Sequence, residues 1–150
     1  MEFDKIAVFG AGTMGHGIAQ VSAMAGYKVT LFDIAQPQLD TALNKIKANL
    51  QKGVERSKIT TEQQATTLAN LSTTTSLEEA CDKADLAIEA IPEILDLKRD
   101  LLQKVDSFTP EYTIIATNTS SISINSLANY TNRKDKIIGM HFMNPVPVMK

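Results

Sequence analysis

Near the start of the chain a strand-like run, Lys5-Ile-Ala-Val-Phe9, leads straight into Gly10-Ala-Gly12-Thr-Met-Gly15 and then into a helical pattern. No other feature restricts the fold as much. Lys5 to Phe9 is short, apolar and rich in branched residues, as a strand buried on both faces is. From Thr13 the period changes. Met14, Ile18, Val21 and Ala25 recur at intervals of four, three and four, which is one face of a helix. Gly26 is the residue type that ends helices. Val29 to Phe32 is a second strand, closed by Asp33. Strand, helix and strand within about 30 residues form a βαβ unit, and such a unit requires the two strands to be parallel.

The glycine spacing has a mechanical reading. Gly10 permits a tight turn, Gly12 lets a pyrophosphate approach bare backbone, and Gly15 lets helix and strand pack closely. Ala11, Thr13 and Met14 complete the loop. The helix N-terminus then offers unpaired N–H groups and a partial positive charge. G-x-G-x-x-G alone is a weak pattern; after a strand and before a helix it points to a dinucleotide. Asp33 lies close to the expected distance of about 20 residues, where a carboxylate accepts from the adenosine ribose hydroxyls. The same charge repels a 2′-phosphate, and Ile34, Ala35 and Gln36 bring no cation to offset it. The expected cofactor is NAD rather than NADP. His16 is expected on the exposed side of the helix.

The rest of the chain keeps alternating. The spacing predicts helices over Pro37–Lys52 and Thr60–Asn70, parted near Gly53, then a short strand over Leu71–Thr74 and a short helix over Leu77–Lys83. A buried strand follows over Ala84–Ile91, and an amphipathic helix over Glu93–Phe108. That helix is expected to put Ile94, Leu97, Leu101, Val105 and Phe108 on one face and to pair Asp100 with Lys104. Strands over Thr113–Thr117 and Lys136–Phe142 flank a short helix over Ser123–Tyr130. The fold class is therefore α/β, a doubly wound, Rossmann-type, mostly parallel sheet with a helical hairpin inserted after the second strand. At 150 residues the chain is too short for an eight-stranded α/β barrel. A formal net charge of -2 gives no footprint for nucleic acid. No apolar run approaches the roughly 18 residues of a membrane span, and the N-terminus does not read as a signal peptide. The single cysteine, Cys81, fits a reducing, cytoplasmic setting and reads as a small apolar residue on a helix.

Two further segments carry chemistry: Asn118-Thr-Ser-Ser121 and His141-Phe-Met-Asn-Pro-Val-Pro147. Taken with the loop and Asp33, they make the whole chain resemble the 3-hydroxyacyl-CoA dehydrogenases. The resemblance implies that residues 1–150 are the NAD-binding domain. It implies that Asp33 binds the adenosine ribose, that Ala90 and Ile91 line the cofactor cleft, and that Glu93 and Lys98 of the EAIPEILDLK segment contact NAD. Asn118 would touch the nicotinamide half, Ser120 the substrate oxygen, and Asn144 both substrate and cofactor. His141 would be the general acid/base, a role for which histidine's titration near neutrality suits it in both directions. No metal is expected. The substrate would be an acyl-CoA thioester, and the basic residues Lys45, Lys47, Lys52, Arg56 and Lys58 are candidates to meet its phosphates.

The residues alone leave other readings open. Ser120 and Ser121 are also suited to capping the next helix, His141 to closing a strand, and the lysines to a solvated helix face. A 3-hydroxyisobutyrate- or 6-phosphogluconate-type dehydrogenase shares the glycine loop but not the NTSS and HFMNPVP segments. A non-catalytic NAD-binding module on the same fold remains an alternative. The resemblance also implies a glutamate partner for His141 and a helical domain that builds the homo-oligomer, both beyond Lys150. The expectation is a cofactor-binding half with little turnover alone.

Overall fold

The computed structural model describes residues 3–118 and 122–140. The chain runs β1 (Lys5–Phe9), α1 (Thr13–Met24), β2 (Lys28–Phe32), α2 (Gln36–Glu55), α3 (Thr61–Ala69), β3 (Leu71–Thr74), α4 (Leu77–Cys81), β4 (Leu86–Glu89), α5 (Leu95–Phe108), β5 (Ile114–Thr117), α6 (Ile124–Ala128) and β6 (Ile137–Gly139), with a 3-10 turn over Lys134–Lys136. The six strands form one sheet in the order β3-β2-β1-β4-β5-β6, and every pairing is parallel. This is the doubly wound sheet expected from the alternation of elements. Side chains alternate between its faces. One core holds Val8, Ile18, Leu39, Ile46 and Leu50; the other holds Phe9, Cys81, Leu102, Val105 and Leu127. No helix among the described residues is long and apolar enough to cross a membrane.

Helix ends follow local chemistry. Gly26 takes φ 101 just past α1. Its N–H reaches the Ala23 carbonyl at 3.1 Å, and the Tyr27 N–H reaches Ser22 at 3.3 Å. These are the two bonds of a Schellman cap. Thr60 and Gln63 form a reciprocal capping box on α3. The expected helical hairpin is present as α2 and α3, bridged by Gln64 and Gln51 at 3.1 Å.

Several expectations are corrected. Gly53 does not part the two helices. α2 runs through it to Glu55, and the turn comes at Ser57, whose φ is 55. Leu39, Ile46 and Leu50 are fully buried, worth roughly 1.5–3 kcal/mol each. That outweighs the cost of about 1 kcal/mol for one helical glycine. Gly53 is used instead for close packing, since a Cβ there would lie 3.2 Å from Ile59. β4 is shorter than expected at both ends, running Leu86–Glu89 rather than Ala84–Ile91. α5 begins at Leu95, after Glu93, and its buried face is Lys98, Leu102 and Val105. Ile94, Leu97 and Phe108 are 52%, 48% and 42% exposed; the apolar stripe is rotated away from the core. Asp100 meets Arg99 at 3.2 Å and forms no pair with Lys104.

Candidate cofactor site

The strand ends converge on one rim of the sheet. Each residue just past a strand donates its N–H to the neighbouring strand. Gly10 bonds to Phe32 at 2.8 Å, Ala90 to Phe9 at 2.9 Å, Asn118 to Glu89 at 2.9 Å and Met140 to Thr117 at 3.1 Å. Strand order reverses between β1 and β4, so a crevice opens there, where doubly wound sheets take their ligands.

Packing confines Gly10 and Gly15 and leaves Gly12 open. Gly10 has φ +106, and a Cβ there would lie 2.6 Å from the Ala90 carbonyl oxygen. A Cβ on Gly15 would lie 1.6 Å from the Gly10 carbonyl oxygen, so only glycine fits. At Gly12 an added Cβ meets nothing within 4 Å; the peptide faces open space. Gly12 is also the N-cap of α1, which has no side-chain cap and no acid in its first turn. A bare, uncapped helix terminus fits a pyrophosphate.

Asp33 is half-buried beside this loop. Its Oδ2 accepts from the Ala11 N–H at 3.0 Å, and its Oδ1 accepts from the Ala35 N–H at 3.0 Å. The carboxylate thus ties the glycine loop to the turn after β2 and keeps lone pairs for a further donor. A cleft of about 390 Å³ runs from it, lined by Gly10, Ile34, Ile91, Pro92 and Leu97 among others. Ile34 is 85% exposed and, with Leu97, gives the cleft an apolar wall suited to a flat base. From α5, Leu97 and Leu101 face this cleft.

His16 is buried, not exposed as its place on the helix suggested. Its Nδ1 lies 2.9 Å from the Gly12 carbonyl, which also accepts from the His16 N–H at 3.0 Å. A carbonyl only accepts, so the tautomer is Nδ1–H, and the ring clamps the peptide at the loop's open corner.

The least expected feature is a buried charge cluster. Glu89, at the end of β4, is 1% exposed, and Lys98 is 0% exposed. Lys98 Nζ donates to Glu89 Oε1 and Oε2 at 2.8 and 2.7 Å and to the Ile91 carbonyl at 3.3 Å, and it meets Glu93 at 3.1 Å. Thr117 Oγ1 donates to Glu89 Oε1 at 2.5 Å, and the Ile91 N–H donates to Oε2 at 2.8 Å. Glu89 and Thr117 escaped the sequence reading. The available signal was an acid closing the apolar run Leu86–Ile88, since a buried charge demands a partner. Lys98 has its ammonium turned into this cluster rather than to the cleft, whereas Glu93 is on the surface above it.

Asn118 is half-buried at the end of β5. Ser120, His141 and Asn144 lie outside the described residues. α6 is capped by Ser123, whose Oγ accepts from the Ser126 N–H at 3.4 Å.

Comparison with known proteins agrees with this geometry. The family model described as "3-hydroxyacyl-CoA dehydrogenase, NAD binding domain" matches residues 5–150. A probable 3-hydroxybutyryl-CoA dehydrogenase of Bacillus subtilis is 43% identical over 150 residues, covering 100% of this chain and 52% of that protein. A 3-hydroxybutyryl-CoA dehydrogenase of Clostridioides difficile is 45% identical over 146 residues, covering 97% and 52%. The crystal structure of an Escherichia coli 3-hydroxybutyryl-CoA dehydrogenase superposes with a TM-score of 0.97 at 41% identity, covering all of this chain and 32% of that one. The chain spans about half the length of the curated relatives it matches. It belongs to the 3-hydroxyacyl-CoA dehydrogenase family as an NAD-binding domain.

Proposed function

We propose that the protein oxidises short 3-hydroxyacyl-CoA thioesters to 3-oxoacyl-CoA, reversibly, with NAD as the hydride acceptor. The observation that carries this reading is the join between Asp33 and the glycine loop. Asp33 holds the Ala11 N–H at 3.0 Å, so a ribose acceptor and a phosphate-binding terminus stand side by side. NAD, when bound, supplies the two-electron acceptor. The chain's own residues supply the cofactor half of the site, and turnover by this half alone is proposed to be small. Gly12 and the first turn of α1 take the pyrophosphate, and Asp33 takes the ribose hydroxyls. Ile34 and Leu97 flank the adenine, and Ile91 and Asn118 face the path toward the nicotinamide.

The proton chemistry falls to His141, with Ser120 orienting the substrate oxygen and Asn144 holding substrate beside cofactor. Support comes from connectivity. Met140 and Asn118, the residues that lead into these segments, end neighbouring strands and are bonded into the same rim. A base on the hydroxyl and a donor at the same oxygen are what removal of hydride from a secondary alcohol needs. The lysines of α2, all exposed, are proposed to meet the CoA phosphates. The relatives' names support the acyl-CoA substrate. Assembly as a homo-oligomer and a cytoplasmic site are part of the same proposal.

The test is NADH consumption with acetoacetyl-CoA, followed by loss of NADH absorbance. His141→Ala should lower turnover by about 10²–10⁴-fold and leave NADH affinity unchanged. A His141→Ala variant as fast as wild type removes the proposed base. An NADH-loaded protein that does not bind the thioester in a titration is a dinucleotide module and not this enzyme.

A further inference from the structure

We propose that His16 is a positioning residue for the cofactor's pyrophosphate, acting through the Gly12–Thr13 peptide and not by contact with the phosphates. Glycine at position 12 keeps the approach open, since nothing lies within 4 Å of where its Cβ would stand. The same residue type leaves the backbone loosely held. The peptide that must receive the ligand is therefore the one least restrained by its own residues. Gly12 gives α1 no side-chain cap, and Asp33 holds the Ala11 N–H, one residue earlier. The restraint on Gly12 comes from one turn along the helix.

The Gly12 carbonyl accepts twice from His16, from its N–H at 3.0 Å and from Nδ1 at 2.9 Å. Both lone pairs of that oxygen are then engaged. A trans peptide is planar, with its C=O and N–H pointing opposite ways. Fixing the Gly12 oxygen therefore fixes the Thr13 N–H, which points outward from the helix start. Among the described residues the N–H groups of Thr13, Met14 and Gly15 have no acceptor. They are the donors that a helix terminus offers to an anion. The ring itself has little room to move. It is 9% exposed, and one turn further Gln20, 4% exposed, accepts from Asn49 of α2 at 3.1 Å. The face of α1 that carries His16 is thus fastened to α2, and through the ring that hold reaches the loop. Donors already in place bind a ligand with less loss of conformational freedom. In the neutral ring Nε2 carries no proton, so His16 offers the phosphates no donor of its own.

The inference rests on the cleft being a dinucleotide site, which wild-type NADH binding tests separately. His16→Asn and His16→Leu are the variants to compare. The Asn amide N–H stands where Nδ1–H stands and keeps the bond to Gly12; Leu fills similar space with no donor. In His16→Leu the affinity for ADP and for NADH should fall about fivefold or more, the weight of one ordinary hydrogen bond, while His16→Asn stays within about twofold of wild type. Adenosine, which has no phosphate, should compete with NADH equally well on wild type and both variants. Imidazole nitrogen NMR of the neutral ring should show the proton on Nδ1. A loss of adenosine affinity equal to the loss for ADP is general damage to the cleft and overturns the proposal. Equal affinity of the Asn and Leu variants for ADP also overturns it, as does a ring protonated on Nε2. If His16→Leu does not fold, His16→Thr and His16→Val decide, being alike in shape. The Thr hydroxyl donates to the carbonyl four residues back, so His16→Thr should bind ADP at least about threefold more tightly than His16→Val; equal affinity overturns the proposal.

Discussion

The glycine loop and the corner between β4 and α5 lie on opposite sides of one crevice and are built on different principles. The loop is local. Its glycines act within a few residues of one another, and its polar groups are backbone amides held open for a ligand. The corner is non-local. Glu89 and Lys98 are nine positions apart, Thr117 is 28 from Glu89, and all of their polar groups are turned inward. One side of the crevice is arranged to be completed by a ligand; the other is already complete. Damage at the open face of the loop should appear as lost affinity, and an unpaired charge in the corner as lost stability.

The largest effect should come from breaking the corner on one side only. Lys98→Met leaves the Glu89 carboxylate buried without its counter-ion, and stability should fall by about 3–5 kcal/mol, read by denaturant unfolding. A loss no larger than about 1 kcal/mol would mean that water reaches Glu89 and that the corner is not a closed cluster.

Gly15→Ala comes next. Its methyl would overlap the Gly10 carbonyl oxygen, so α1 must move off β1, at about 3 kcal/mol, the top of the range for overpacking. Gly12→Ala sharpens the contrast. The added methyl meets no protein atom, so unfolding should shift by less than about 0.5 kcal/mol. NADH affinity should still fall about tenfold, the equivalent of about 1.4 kcal/mol, if the methyl occupies the space proposed for phosphate. Equal losses of stability from the two variants would break the distinction between a packing glycine and a binding glycine.

The smallest effect concerns Cys81, in the core beneath the corner. Burial pushes its thiol up to about 12 from 9.0, against the lowering influence of Lys5 and Arg133. The folded value lies above the unfolded one. Its contribution to stability is therefore whole below about 9 and declines as pH rises toward 12. In mildly alkaline buffer a thiol reagent should label Cys81 only after unfolding; rapid labelling of the native protein would contradict its burial.

The same contrast explains what could be read from the sequence. Gly10, Gly12, Gly15 and Asp33 announced themselves because backbone geometry sets their spacing, and the βαβ alternation carried the sheet with it. The short strand Leu71–Thr74 was read correctly for the same reason. The misread features depend on side-chain packing that residue spacing does not show. Leu97 and Phe108 share an apolar stripe with Val105, yet the sheet selects Lys98, Leu102 and Val105, because Glu89 neutralises the lysine. His16 has a polar side chain on a helix, yet it turns back to the Gly12 carbonyl. Gly53 resembles a helix breaker, but Ile59 packs against it. Of the candidate site, the half made of the loop, Asp33 and Ile91 is now described, while Ser120, His141 and Asn144 rest on sequence likeness.

The decisive measurement for the NAD assignment is a side-by-side titration of the protein with NADH and NADPH. Asp33, tied to the loop through Ala11 and with no cation among Ile34, Ala35 and Gln36, should favour NADH by at least about tenfold, roughly 1.4 kcal/mol, and Asp33→Ser should narrow that gap. NADPH binding as tightly as NADH, or tighter, would contradict the assignment of Asp33 to the ribose and with it the reading of this crevice as an NAD site.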